Sequence, residues 1–238
     1  MAGKVRTISE IRLQTTERLK AGWPAEEAAA LASAIISEYT GMGRAAQMAF
    51  GDRVPDAGAA ARIEDAVTRA AAGEPLQYIL GYADFCGHRI EVAPGVLIPR
   101  PETEEMTMMI ISENRGFTGT VTDLCTGSGC IAIAIGLAFP DASVTATDLS
   151  GKALEIARRN ISRTGAAVTL IRADIINDNP SLVPLSNIIV SNPPYGQRID
   201  VRDGAGDSVD MGSFIQTLRQ HFGGWTVNLL SSERDLPR

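Results

Sequence analysis

The 238-residue sequence predicts an α/β fold, a doubly wound and mostly parallel sheet preceded by a small helical domain. Three observations lead there. Beyond Pro101, the β-rich runs "GTVTDL", "ASVTATDL", "AAVTLIRAD" and "NIIVSN" alternate with helical stretches near 129–139 and 151–164. Such alternation is what strands buried beneath crossover helices require. Alanine-rich stretches around 25–37 and 57–72 give the first 75 residues a helical character. Between the two parts the texture changes to short apolar runs punctuated by Gly and Pro, "GEPLQYILGYADFCGHRIEVAPGVLIPRPETEEM".

In chain order, residues 7–20 read as a helix opened by a capping box, Thr7 with Glu10, and carrying Ile8, Ile11 and Leu19 among its apolar positions. Pro24 followed by Glu26 and Glu27 marks a second helix start, with the proline at the first turn and acids favouring the amino-terminal dipole. The helical domain is placed at 1–75 and a hairpin linker at 76–98. Tyr82–Cys86 and Arg89–Val92 are its strands, around a turn at Gly87-His88. The third segment, 99–238, begins with a helix opened by Pro101 and acidic at Glu102, Glu104 and Glu105. In a doubly wound sheet the ligand lies beyond the carboxyl ends of the strands, and the polar clusters described next all fall there.

Composition sets bounds. At 45% hydrophobic the chain can bury a substantial core. A net charge of −6, with nine Lys/Arg against ten Asp/Glu in the first eighty residues, argues against a broad basic surface for duplex nucleic acid. Cys86, Cys125 and Cys130 form no CxxC pair, which argues against a disulfide framework and a structural zinc site. A cytoplasmic setting is expected. The charged amino terminus lacks a signal core, and no apolar run is long enough for a membrane span. A monomer without metal is expected.

The first motif is "DLCTGSGCIAIAI". Asp123 ends a strand, and Gly127-Ser128-Gly129 turn into a helix, where glycines allow close backbone approach and helix amides can receive an anion. Nineteen residues after Gly129, Asp148 ends the next strand, the spacing at which an acid accepts hydrogen bonds from ribose hydroxyls. A bare glycine turn can also be ordinary packing. Because Gly127-x-Gly129-x-x-Ala132 fits the dinucleotide fingerprint, NAD and S-adenosylmethionine (SAM) both stay open at this point. A dehydrogenase needs a proton-transfer group near the hydride, and His88 and His221 lie away from the strand ends, His88 reading as a surface residue. Asp174, ending the third strand, suits an adenine amino group or a solvated loop.

The second motif is "NPPY", 192–195. Asn192 is confined to extended backbone by the proline after it, and Pro193 and Pro194 have fixed φ and no amide hydrogen. This rigid loop presents the Asn192 side-chain oxygen and the Pro193 carbonyl, which can accept both hydrogens of one NH₂ group. A conjugated nitrogen is a poor nucleophile, and holding its hydrogens aligns its lone pair with an incoming methyl carbon. Tyr195 supplies a flat face for a planar group. Asn-Pro also begins ordinary turns.

With these residues in hand the sequence resembles the SAM-dependent amino methyltransferases that carry Asn-Pro-Pro-Tyr. More closely, "GEPLQYILG", "VLIPRPETEEM", "DLCTGSGCIAIAI", "TATDLSGKALEIARRN" and "IIVSNPPY" are similar, in order, to the HemK/PrmC family of peptide chain release factor glutamine methyltransferases. The resemblance implies a Rossmann-like SAM-dependent methyltransferase domain joined by a hairpin to an amino-terminal helical bundle that recognises substrate. It implies protein-(glutamine-N5) methylation in the Gly-Gly-Gln loop of release factors, with no membrane and no direct nucleic-acid contact. Carried over, Asp123, Cys125, Thr126, Gly127, Ser128, Gly129 and Asp148 hold SAM, Asp174 and Ile175 flank adenine, and Asn192 touches both cofactor and substrate. Asn192, Pro193 and Tyr195 form the catalytic set, and Pro194 joins them in binding the glutamine. Cys125, where many members have glycine, reads as packing. "IPRPETE" reads either as helix-start chemistry or as a segment whose Arg100 orients the loop over the cofactor.

After Tyr195 the family pattern stops. "NPPYGQR" with "SFIQTLRQHFGGWTVNLLSSERDLPR" resembles the end of ribosomal RNA guanine N2-methyltransferases, with a helix from about Ser208 to Phe222 and a fifth strand at "WTVNLLSS". The sheet is therefore expected to be shortened at its carboxyl terminus, with an exposed edge. Ribosomal RNA methylation, and a SAM-binding module impaired in catalysis, are the alternatives to glutamine methylation.

Overall fold

The computed structural model describes residues 6–175, 182–193, 215–218, 220 and 226–229. The chain divides into two compact units, Met1–Gly81 and Tyr82–Arg238.

The first unit is helical: α1 (Ile8–Leu19), α2 (Ala25–Thr40), α3 (Arg44–Ala49), α4 (Ala57–Ala71) and α5 (Leu76–Leu80). The capping box is present, with Thr7 Oγ1 accepting from the Glu10 amide and the Glu10 carboxylate accepting from the Thr7 amide at 2.8 Å. Buried positions recur at three- and four-residue spacing: Ile8, Ile11, Thr15 and Leu19 on α1, Ala28, Ala32, Ile35 and Ile36 on α2, Ala59, Ile63, Ala66, Val67 and Ala70 on α4. Much of the contact is alanine, so the helix backbones can approach closely around a few isoleucines. Pro24 stands one place earlier than expected, as N-cap of α2. The short helices α3 and α5 have too few residues to show a periodic face in the sequence. Gln47, fully buried on α3, is held by Ser33 and by the Ser33 and Met42 carbonyls.

The second unit opens with the hairpin, β1 (Tyr82–Phe85) and β2 (His88–Glu91), paired antiparallel with Phe85 opposite His88. The turn is therefore Cys86-Gly87, not Gly87-His88. Both turn residues have positive φ, +48° and +77°, the requirement of a two-residue hairpin turn whose twist matches its strands. His88 consequently lies in the strand and is half-buried.

Then follow α6 (Pro101–Glu113), β3 (Thr120–Leu124), α7 (Cys130–Ala138), β4 (Ser143–Asp148), α8 (Gly151–Thr164), β5 (Val168–Arg172), β6 (Ile188–Ser191) and β7 (Thr226–Leu229). The five described strands β3 to β7 form one sheet in the order β5-β4-β3-β6-β7, every neighbouring pair parallel. The order runs outward in both directions from β3 and β6, so the fold is doubly wound and its switch point lies between those two strands. The fifth strand read at "WTVNLLSS" is β7. Of the helix read at 208–222, residues 215–218 and 220 are helical, and the rest lie outside the described residues. β6 is buried throughout, and α7 is buried from Cys130 to Gly136, as elements between layers must be. Among the described residues no helix is long and apolar enough to cross a membrane.

Thr7→Ala removes one side of the capping box, and it is expected to lower stability by about 1 kcal/mol. Urea unfolding followed by helical circular dichroism checks this; a shift of the whole transition without a change of slope is the expected form.

Candidate active site

The site is built where β3 and β6 end side by side. Leu124, the last residue of β3, is in register with Ser191, the last of β6, and the buried Ser191 hydroxyl donates to the Leu124 carbonyl at 2.8 Å. Two loops thus leave the sheet from adjacent points: 125–129 from β3 and Asn192-Pro193 from β6.

The first loop is tightly determined. Thr126 donates its amide to the Thr147 carbonyl of β4 at 2.9 Å, and Gly129 donates back to Thr126 at 2.9 Å. Three consecutive odd positions have left-handed backbone: Cys125 at φ +58°, Gly127 at +57° and Gly129 at +83°. The two glycines are there for different reasons. A Cβ on Gly129 would come within 3.2 Å of the Ala157 Cβ on α8, so this glycine permits close helix packing. A Cβ on Gly127 would meet no atom of the described residues within 4 Å, so among them this glycine borders open space. The side chains divide likewise: Thr126 and Ser128 are buried, while Cys125 and Gly127 are half-exposed.

Asp148, half-exposed at the end of β4, fixes this loop from the neighbouring strand. Its Oδ2 accepts from the Gly127 amide and its Oδ1 from the Ser150 amide, both at 2.8 Å. The carboxylate is therefore held in one orientation beside the loop. Asp174 and Ile175, beyond the end of β5, are half-exposed as well. Cys125, Gly127, Asp148, Asp174, Ile175 and Asn192 thus form a partly open rim along the carboxyl ends of four parallel strands.

Asp123 behaves differently from the rim acids. It is completely buried, and its Oδ2 accepts from the Thr126 hydroxyl at 2.5 Å and from the Ala132 amide in the first turn of α7 at 3.3 Å. It stands in for the absent N-cap side chain of α7, whose N-cap is Gly129. A side chain without exposed surface shapes the loop from behind, and has none to offer a ligand in this conformation. Its Oδ1 is buried and has no hydrogen-bond partner among the described residues. Burial raises its pKa to about 7, against the pull of its bonds to Thr126 and Ala132. Burial, with Asp148 and Asp123 adding to it, pushes the Cys125 thiol up to about 12. At neutral pH that sulfur is no thiolate, in keeping with its reading as packing.

In the second loop, Pro193 is buried and Asn192 half-exposed. The Asn192 Nδ2 donates to the hydroxyl of Thr103 at 2.9 Å. Thr103 lies in the first turn of α6, within "PRPETE", and is 1% exposed. This contact spans 89 residues of sequence. It gives the segment a role beyond helix initiation, although Pro101, Glu102 and Glu104 do occupy the first turn. Arg100 is exposed and serves as the N-cap residue of α6. Next to Thr103, Glu104 accepts from the Cys86 amide at 2.7 Å and so fixes the hairpin turn to the same helix start. Pro194, Tyr195 and His221 lie outside the described residues.

A buried amide joins the hairpin to the first loop. Asn160 on α8, fully buried, donates to the Glu91 carbonyl at 3.0 Å and to the Ser128 carbonyl at 2.9 Å, and accepts from the Glu91 amide at 2.7 Å. Neither Thr103 nor Asn160 was singled out in the sequence. Asn160 closes the quoted run "ALEIARRN", where its burial shows only as the next step of the apolar face Leu154, Ile156, Ala157.

Two family models match the chain: Methyltransferase small domain over residues 101–213 and PrmC N-terminal domain over residues 10–81. A release factor glutamine methyltransferase from Bacteroides thetaiotaomicron is 40% identical over 188 residues, 79% of this chain and 67% of that protein. The chain belongs to the release factor glutamine methyltransferase family. The proteins of the same name from Streptococcus pneumoniae and Deinococcus radiodurans are 44% and 35% identical, over 58% and 79% of this chain and 48% and 66% of theirs. The chain thus spans about half to two thirds of the length of these relatives. The nicotinamide reading that the glycine spacing left open finds no support in this family, whose members named above are methyltransferases.

The buried Asp123 makes a prediction about pH. A carboxyl group with a native pKa raised to about 7 binds its proton more tightly folded than unfolded. Stability from this group is full below the unfolded pKa of about 4 and is lost as pH rises toward 7. Asp123→Asn keeps an acceptor for Thr126 and Ala132 and cannot ionise. Its stability relative to the unsubstituted chain is expected to rise by on the order of 3 kcal/mol between pH 4.5 and pH 8, on about 1.4 kcal/mol per pH unit. Paired denaturant titrations at several pH values measure the difference, and a difference that is flat with pH contradicts the assignment.

Proposed function

We propose that this chain transfers a methyl group from SAM to the side-chain nitrogen of the glutamine in the Gly-Gly-Gln motif of peptide chain release factors. The observation that carries the reading is the pairing of the Asn192-Pro193 loop with the Cys125–Gly129 loop at the switch point, in a chain of this family. One loop suits a cofactor and the other a planar NH₂ group.

SAM fits the first loop on three counts. Space lies open over Gly127, Asp148 is anchored at the next strand end with part of its surface exposed, and the amino end of α7 offers its dipole to a carboxylate. Cys125, Thr126, Gly127, Ser128 and Gly129 with Asp148 would hold the cofactor, and Asp174 and Ile175 would flank its adenine. Asp123 acts from beneath, by shaping the loop. When bound, SAM supplies an electrophilic methyl carbon on a sulfonium.

The rest is positioning. Asn192 Oδ1 and the Pro193 carbonyl would accept the two hydrogens of the glutamine NH₂, fixing the nitrogen and favouring the positive charge that develops on it. Pro194 and Tyr195 would complete the glutamine pocket. The chain need not deprotonate the nitrogen before attack, since the proton can leave once the N–C bond has formed. The helical unit, matched by the PrmC N-terminal domain, would recognise the body of the release factor. The ribosomal RNA alternative rests on residues after Tyr195, most of them outside the described set, and the relatives do not favour it.

Incubation with SAM and a release factor, followed by digestion and mass spectrometry, should show the Gly-Gly-Gln peptide heavier by one methylene. An unmodified peptide from a chain that binds SAM by calorimetry would favour the impaired module. Asn192→Ala is expected to lower turnover roughly a hundredfold while changing SAM affinity less than about threefold. Gly127→Ala and Gly129→Ala both place a Cβ at positive φ and should both lower the unfolding temperature, Gly129→Ala further through its contact with Ala157; Gly127→Ala should in addition weaken SAM binding, and thermal scans with and without SAM separate the two effects.

A further inference from the structure

We infer that Thr103 is a positioning residue for methyl transfer: its hydroxyl holds the Nδ2 end of the Asn192 amide and thereby turns the Oδ1 end toward the substrate nitrogen. The inference rests on the reading of Asn192 as the group that receives the glutamine NH₂. The bond itself is 2.9 Å from Nδ2 to Oγ1, between a half-exposed amide and a hydroxyl with 1% exposure.

The two ends of a carboxamide are nearly equal in size, so sterics alone hardly choose between an orientation and its reverse. The substrate is itself a carboxamide. With Asn192 reversed, its NH₂ would face the glutamine and select the glutamine oxygen, placing the wrong atom where the nitrogen must wait. A hydroxyl can accept from Nδ2 or donate to Oδ1, and in this structure Thr103 accepts from Nδ2, so it anchors the carboxamide of Asn192 in the orientation that turns Oδ1 to the other side.

Thr103 is well built for the task. It is β-branched, so its χ1 is stiff. Its amide donates to the Arg100 carbonyl at 3.0 Å, and its own carbonyl accepts from the Thr107 hydroxyl at 2.8 Å. The adjacent Glu104 fastens the same turn to the hairpin through the Cys86 amide. The acceptor therefore sits on a rigid helix start rather than on a loop. Such rigidity matters because small misplacements of a reacting group have large effects on rate.

The test compares T103S with T103A, a pair that differs only in the hydroxyl. The readouts are kcat and KM for a release factor, and SAM affinity by calorimetry. T103S should stay within about threefold of the unsubstituted chain, while T103A should lose roughly tenfold or more in kcat with SAM affinity changed less than about threefold. S112A is the control: the Ser112 hydroxyl, near the far end of α6, donates to the Met109 carbonyl at 2.9 Å, and its loss should leave kcat unchanged. Should T103A fail to fold by circular dichroism, the isosteric T103V takes its place. Equal rates for T103S and the hydroxyl-free variant overturn the inference, as does a parallel loss of SAM affinity and kcat, which would mark Thr103 as merely structural. No transfer by the unsubstituted chain with SAM bound overturns the functional reading and this inference with it. Transfer that is indifferent to the hydroxyl overturns the inference alone.

Discussion

The parallel pairing of β3 with β6 is the constraint on which the rest of the site depends. Parallel neighbours deliver their carboxyl ends to the same edge of the sheet, and doubly wound connections carry the chain away from that edge in opposite directions. A crevice is left between the departing loops. Because Leu124 and Ser191 share a register, with a side chain-to-carbonyl hydrogen bond added to the ladder, the two loops begin from a common level. A one-residue slip would send Asp123 and Ser191 to the opposite faces of the sheet. Loss of that register would undo the N-cap surrogate of α7 and the Ser191 bond together.

Around this crevice the second unit uses buried side chains where regular structure cannot reach. Asp123 supports the glycine loop from below, Asp148 from the next strand, Asn160 from α8, and Thr103 holds the other loop from α6. The first bond spans nine residues, and the other three join residues 21, 32 and 89 apart in sequence. Such a network makes the loops part of the core, and it explains why polar groups are buried here in numbers that an apolar core would not tolerate unpaired. Among the described residues of this unit, Asp123 Oδ1, Ser128 Oγ and Thr147 Oγ1 are buried without a hydrogen-bond partner, and the first of them belongs to the carboxyl that burial raises to about 7.

What was legible in the sequence follows the range of the interaction. The Thr7/Glu10 capping box and the strand endings at Asp148 and Ser191, and one residue beyond Asp123, were readable because caps and β/α alternation are local patterns. The hairpin was readable but its turn was displaced by one residue, since two positive φ values were needed and only one of the two turn residues is glycine. Helices α3 and α5, of six and five residues, are too short to carry a period. Asn192 could be picked out by the prolines beside it. Its partner Thr103 could not, because nothing in a threonine 89 residues upstream announces a contact made by folding. The same holds for Asp123: its place at a strand end suggested a ligand contact, and only burial reveals a structural carboxyl.

The hairpin has a further property that concerns its outer side. In β2, Arg89 and Glu91 alternate with residues that bond to β1, so their backbone groups turn outward. The Arg89 carbonyl accepts from the Arg163 guanidinium at 3.0 Å, and the Glu91 amide and carbonyl are both taken by Asn160. One face of α8 thus impersonates a third strand with side chains alone. A two-stranded ribbon is ordinarily an open template for a foreign strand and marginal by itself. Here the outer edge of β2 is already occupied, which closes that edge to a foreign strand without lengthening the sheet.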